Sequence, residues 1–129
     1  MRLLLDTHTF LWFIGGSREV STKSKNLIED TENTLLLSAG SVWEMAIKIS
    51  LGKLNLAQQP FANFLSEQLA TNAIELLPIT IGHAATLTLL PFHHRDPFDR
   101  LLIAQAKTEQ IPIISRDKML DVYQVERLW

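Results

Sequence analysis

The chemistry this chain could carry rests on its carboxylates. Asp6 directly follows Leu3-Leu4-Leu5, a short apolar run of the kind that forms a buried strand. Glu44 lies early in SVWEMAIKISLGKL, a helical pattern. Asp96 and Asp99 bracket the start of the run DPFDRLLIAQA, and Asp117 follows the apolar run Ile111 to Ser115. Acids gathered without basic partners repel, and one of them is pushed toward protonation. A divalent cation removes the conflict. Mg²⁺ takes hard oxygen ligands, usually one or two carboxylates with water and substrate phosphates. The chemistry this implies is metal-assisted hydrolysis of a phosphodiester.

Each acid also has an ordinary structural use. Glu44 and Lys48 stand four apart and suit a helix-surface pair. Asp96 before Pro97 suits a helix N-cap, and Asp99 in the first turn suits the helix dipole. Asp117 suits the cap of a turn after Ser115. Asp6, straight after three leucines, is the hardest to assign to a cap or to solvent.

The elements that must position these acids read as alternating strands and helices. Leu3 to Leu5, Thr34 to Ser38, Ile74 to Leu77 and Ile111 to Ser115 are strand runs, with Pro112 suited to a strand start. Val122 to Arg127 is a candidate final edge strand. Thr7 or Thr9 caps a helix through Phe13 that Gly15-Gly16 stops, and Ser21 opens another through Ile28. Val42, Met45, Ala46 and Ile49 give the spacing of an amphipathic helix ended by Gly52. Pro60 stands near the start of a helix with Phe61, Phe64, Leu65 and Leu69 on one face, and Thr80 to Leu90 reads as helical. The last long helix carries Phe98, Leu101, Leu102 and Ala106 on its buried side. Apolar strands alternating with helices predict an α/β fold, a parallel sheet covered on both faces. In such a sheet the helix after a strand starts at the strands' carboxyl edge, where these folds place their sites. Asp6, Glu44, Asp96, Asp99 and Asp117 all map to that edge, whereas Glu29, Asp30, Glu32, Glu75 and Glu109 map to the opposite one.

Composition narrows the function. The 129 residues suit one domain, residues 1–129, and 47% hydrophobic content is enough for a core. A net charge of -2 argues against bulk electrostatic capture of nucleic acid, so any such contact is local or helped by cations. No cysteine is present, which removes disulfides, zinc-thiolate sites and thiol catalysis. His93-His94 lack a third ligand at a zinc spacing. No run approaches a membrane span and no leader pattern opens the chain, so the expectation is a cytoplasmic protein with no membrane contact. Lys48, Arg95, Arg100 and Arg116 neighbour the acids and could grip a phosphate backbone. His8 shares the edge with Asp6 and could line the site, but it reads first as a loop histidine. Trp12, Phe13 and Trp43 read as core or dimer surface rather than stacking platforms.

With these residues in place, the chain resembles the PIN-domain family, specifically the VapC-like toxin ribonucleases. LLLDTHTFLW is similar to that family's opening strand, with Asp6 as its acid. SVWEMAIKISLGKL resembles the second motif and carries over to Glu44. DPFDRLLIAQA resembles the third, with Asp99 as the acid inside the helix and Asp96 an additional candidate. IISRDKML resembles the last, with Ser115 in the hydroxyl position and Asp117 as the acid. The resemblance implies a single PIN-like domain with a five-stranded parallel sheet and helices on both faces. It implies an acidic pocket for Mg²⁺ or Mn²⁺, endonucleolytic cleavage of RNA, a homodimer, and inhibition by a cognate antitoxin. The corresponding mechanism has Asp6, Glu44, Asp99 and Asp117 hold the cation, with Thr7 and Ser115 supporting acids or water. RNA preference comes from the resemblance alone.

Other readings stay open. A metal-dependent phosphatase would want a D-x-D nucleophile, but Asp6 is followed by Thr7-His8. A receiver-like domain would want doubled acids near the start. A non-catalytic RNA-binding or interaction module on the same fold is opposed only by the full set of acids.

Overall fold

The computed structural model describes residues 1–56, 59–93 and 95–129. Five strands, all parallel, form one sheet: β1 (Arg2–Leu5), β2 (Thr34–Ser38), β3 (Ile74–Leu77), β4 (Ile113–Ile114) and β5 (Arg127–Leu128). Their spatial order is β3-β2-β1-β4-β5. The helices are α1 (Thr7–Ile14), α2 (Thr22–Glu29), α3 (Ala39–Ser50), α4 (Phe61–Thr71), α5 (Ile81–Thr88) and α6 (Pro97–Glu109), with a 3₁₀ segment at Lys118–Tyr123. Among the described residues no helix is long and apolar enough to cross a membrane.

The leucine runs divide between the two sheet faces because strand side chains alternate. Leu4, Leu36 and Ile113 point into a core built with Leu102, Ile103 and Ala106 of α6. Leu3, Leu5, Leu35, Leu37 and Ile114 point into the other, with Phe10 of α1, Ile28 of α2, Met45 of α3 and Leu65 of α4. Both faces are thus covered, which is why β1 and β2 read as continuous apolar runs. Each fully buried leucine contributes about 1.5–3 kcal/mol. β3 lies at the sheet edge, and Glu75 and Leu76 are exposed there.

Three local expectations change. Asp6, not Thr7 or Thr9, is the N-cap of α1: its carboxylate accepts from Thr9 N at 2.7 Å. The Thr9 hydroxyl instead reaches Ile114 O at 3.0 Å, tying α1 to β4. The strand expected over Ile111 to Ser115 shortens to β4, although Leu4 N already donates to Pro112 O at 3.0 Å. The edge strand expected over Val122 to Arg127 is only β5. Asp117 caps the 3₁₀ segment through Met119 N, and Leu120 and Tyr123, three apart, turn one side into the core. Gln124 then adopts φ 61°, and the chain reaches the sheet only at Arg127.

Two caps set the helices that face the carboxyl edge. Ser38 ends β2 and accepts from Gly40 N at 3.0 Å, starting α3 at once. Gly40 has no Cβ, and one there would overlap Leu101 Cδ2, so the glycine lets α3 approach α6 closely. Asp96 caps α6 with one oxygen, accepting from Phe98 N at 2.8 Å and Asp99 N at 3.2 Å, and Pro97 occupies the first turn.

Candidate active site

The carboxyl edge of the sheet holds the acids selected from the sequence. β1 and β4 are neighbours, so the residues that follow them, Asp6 and Asp117, face one cavity of about 340 Å³. His8, Trp12 and Arg116 complete its lining. Asp6 is half-buried and Asp117 exposed. Ser115 is buried, and its hydroxyl accepts from Asp117 N at 3.1 Å, which fixes the turn that carries the acid.

Glu44 is attached to this edge through Thr7. The buried Thr7 hydroxyl lies 2.8 Å from Glu44 Oε1 and 2.8 Å from Ser41 Oγ. A threonine has one hydroxyl proton, and the charged carboxylate is the stronger acceptor, so Ser41 donates to Thr7 and Thr7 to Glu44. The other Glu44 oxygen meets Lys48 Nζ at 3.1 Å, the i,i+4 pair expected from spacing. Asp99 is half-buried in the first turn of α6, one residue before Arg100 and two before the Leu101 contact with α3.

The structure therefore joins Asp6 and Asp117 in one cavity and Glu44 to the residue after Asp6. It places Asp99 on the same edge but not in that lining. Among the described residues no three His, Asp or Glu side chains converge closely enough, as they stand, to hold an ion. The four proposed donors are carboxylates, which suits a hard divalent cation; no thiolate competes, and His8 is the imidazole in the lining. Asp6 and Asp117 each spend one oxygen on a cap, Oδ1 in both cases.

The basic residues part company. Arg100 is a correction to the expected phosphate contact: it is buried, and its guanidinium donates to Pro91 O at 2.8 Å and Leu90 O at 3.4 Å while packing on Phe92. It braces the loop before α6. Lys48 neutralises Glu44, and Arg95 is exposed. Arg116 pairs with Glu19 and lies over the Trp12 ring, 4.6 Å from its centroid. His93 packs edge-on against Tyr123, 5.1 Å between centroids, and His94 lies outside the described residues.

Sequence reasoning ranked one feature here too low and missed another. His8 and Trp12 stand four apart on α1, so they share a face, and that face is the cavity wall. That spacing after Asp6 was the available signal. The second is a brace: Arg127 meets both Asp121 oxygens, at 2.8 and 3.2 Å, and donates to Ser115 O at 3.1 Å. The Arg127 hydrogen bonds hold the Asp121 carboxyl below its ordinary range, with desolvation opposing them. Nothing in the local sequence marks that pairing. On the opposite edge, His83 Nε2 meets Glu109 Oε2 at 3.1 Å, and Arg2 meets the other Glu109 oxygen at 3.4 Å.

Comparison with known proteins bears on this arrangement. A sequence profile of the PIN domain matches residues 3–126. Over 64 residues the chain is 33% identical to Ribonuclease VapC16 of Mycobacterium tuberculosis, covering 50% of this chain and 43% of that protein. The match thus spans less than half of that relative's length. A chain of the structure of VapBC2 from Rickettsia felis bound to a promoter DNA fragment superposes with a TM-score of 0.71 at 13% identity, over 99% of this chain and 98% of that one. A chain of FitAcB from Neisseria gonorrhoeae superposes with a TM-score of 0.62 at 20% identity, over 98% and 96%. At these identities the two structures speak for the fold.

Proposed function

Because the chain belongs to the PIN domain family, we propose that it is a Mg²⁺- or Mn²⁺-dependent endoribonuclease, the toxin of a toxin–antitoxin pair. The observation that carries the reading is the cavity shared by Asp6 and Asp117, which the β1–β4 pairing creates. The 33% identity to a ribonuclease supports the substrate class. The neighbouring structure of VapBC2 supports an antitoxin as partner. A homodimer and residues 1–129 as one PIN-like domain belong to the same reading.

Asp6, Glu44, Asp99 and Asp117 are the oxygen donors that would hold the cation, with Asp96 an additional candidate. The cation, when bound, supplies a lowered water pKa and charge stabilisation at the leaving oxygen. Glu44 or Asp117 orients the water for in-line attack on phosphorus. Thr7 fixes the Glu44 carboxylate by its hydroxyl, and Ser115 fixes the backbone at Asp117. Arg95 and Lys48 are the basic residues available to the phosphate backbone, Lys48 after release from Glu44.

One alternative has an observation in its favour. Asp6 and Asp117 cap helices and Glu44 is already paired, which also suits a non-catalytic RNA-binding module on this fold. Incubating end-labelled single-stranded RNA with the protein in Mg²⁺, Mn²⁺ or EDTA separates the two. Internal cuts that appear with either metal and vanish with EDTA support the nuclease. Binding without cuts supports the module.

A further inference from the structure

Beside the acids, the cavity is lined by a stack of planar groups. Trp12 lies at its base, its ring edge-on to Trp129 at 6.2 Å and tilted against His8 at 5.7 Å. The Arg116 guanidinium lies over the indole face at 4.6 Å. One Arg116 nitrogen is engaged by Glu19, yet half of the side chain stays exposed. A cation over an indole face is held by the ring quadrupole, which keeps its position. Arg116 directly precedes Asp117, and His8 and Trp12 follow Asp6 on one helix face, so the chain itself fixes this stack beside the acids.

A ligand for this wall must suit two adjacent carboxylates and a guanidinium already paired with a third. A second phosphate finds little uncompensated positive charge there. A neutral planar ring does fit: nucleobases stack on aromatic rings and on guanidinium planes, at about 1–3 kcal/mol per base. A cavity of about 340 Å³ is at the lower end of small-ligand sites, the size for one nucleotide.

We propose that the Trp12–Arg116 stack is the platform for one nucleobase of single-stranded RNA, next to the phosphate that the cation at Asp6 and Asp117 would hold. The proposal rests on the ribonuclease reading of the same edge and adds its specificity-determining residues. Stacking strength then favours a purine at that nucleotide over a pyrimidine.

The test is binding of a fluorescent single-stranded RNA in Ca²⁺, a hard cation that takes carboxylate and phosphate oxygens, with each strand checked on a gel for cuts. One abasic nucleotide is scanned along the strand. The wild type should bind about tenfold more weakly when the abasic site occupies one particular position. Arg116→Lys keeps the charge and removes the plane, and its side chain is exposed enough to leave the fold intact. It should weaken binding to intact RNA about tenfold, add nothing on the strand with that abasic site, and leave the slope of log Kd against log salt unchanged. Trp12→Leu should behave as Arg116→Lys does. Arg116→Lys that binds like wild type, or weakens intact and abasic strands alike, overturns the platform. So does an Arg116→Gln variant whose salt slope falls by about one, the mark of a phosphate contact. Cleavage by the wild type in Mn²⁺ tests the parent reading separately. A cleaving enzyme with no abasic-sensitive position sinks the platform alone, and a protein that neither binds nor cleaves RNA with a divalent cation present sinks both.

Discussion

The Thr7 hydroxyl sits 2.8 Å from Glu44 Oε1, so the first turn of α1 and the middle of α3 are joined by a hydrogen bond to a charged group. Ser41 completes the link at 2.8 Å. This contact connects the two helices that follow β1 and β2, and with them two of the acids at the carboxyl edge.

Thr7→Val should therefore cost stability as well as activity. The methyl that replaces the hydroxyl leaves Ser41 and Glu44 each without a buried partner, at about 1–2 kcal/mol. Loss of the contact that orients Glu44 should lower RNA cleavage about tenfold or more. Thr7→Ser should restore most of both. Urea midpoints and initial cleavage rates measure these effects, and a Thr7→Val protein equal to wild type in both would remove Thr7 from the account.

Ala73 is the clearest site for stabilisation. It ends the turn between α4 and β3 at φ 52°, a conformation that crowds a Cβ. Ala73→Gly should raise stability by up to about 1 kcal/mol, reduced by the extra freedom of glycine in the unfolded chain. A thermal melt should show a rise of about 2–4 °C, and a fall would mean the left-handed turn is not strained.

The Glu109 cluster should give acid sensitivity at the edge away from the cavity. The His83 hydrogen bond holds the Glu109 carboxyl below its ordinary value of 4.5, with burial opposing and Arg2 adding to the effect. A lowered folded-state pKa adds stability above the unfolded value and loses it as pH falls through the folded one. Glu109→Gln should thus be less stable than wild type at neutral pH, and the gap should close as pH drops below 4.5. Denaturation midpoints across that range test it, and a gap constant with pH would contradict it.

A dimer should use the outer face of α3. Trp43 and Ile47 on that helix and Leu51 at its C-cap stand at four-residue intervals, and Trp43 is 67% exposed. Light scattering at micromolar concentration should return the mass of two chains, and Trp43→Glu should return one. A single-chain mass for the wild type would remove the homodimer and leave the nuclease reading untouched.

Much of this was legible in the residues. Leu3 to Leu5 and Thr34 to Ser38 announced buried parallel strands because both sheet faces are covered, so no polar alternation interrupts them. Pro97 after Asp96 announced the start of α6 because the local chemistry alone makes a cap there. The edge assignment of Asp6, Glu44 and Asp117 followed from the same strand–helix order. What stayed hidden depends on distant partners. Arg100 read as a surface cation because its acceptors, Leu90 and Pro91, are carbonyls of a loop ten and nine residues back. Val122 to Arg127 read as a candidate edge strand, whereas the core takes Leu120 and Tyr123 at a spacing of three and only Arg127–Leu128 pairs with the sheet. Trp12 read as core or dimer surface because its Arg116 partner lies more than a hundred residues away.

The central claim is that the carboxylate of Asp6 acts through a bound divalent cation on RNA, and Asp6→Asn tests it most directly. Asparagine caps helices as well as aspartate does, so α1 should keep its start, and the metal-free variant should melt no lower than wild type. The rise in melting temperature that Mg²⁺ or Mn²⁺ gives the wild type should shrink. Cleavage of single-stranded RNA in Mn²⁺, measured side by side on these two folded proteins, should drop to background in the variant. Cleavage by folded Asp6→Asn at the wild-type rate would contradict the account.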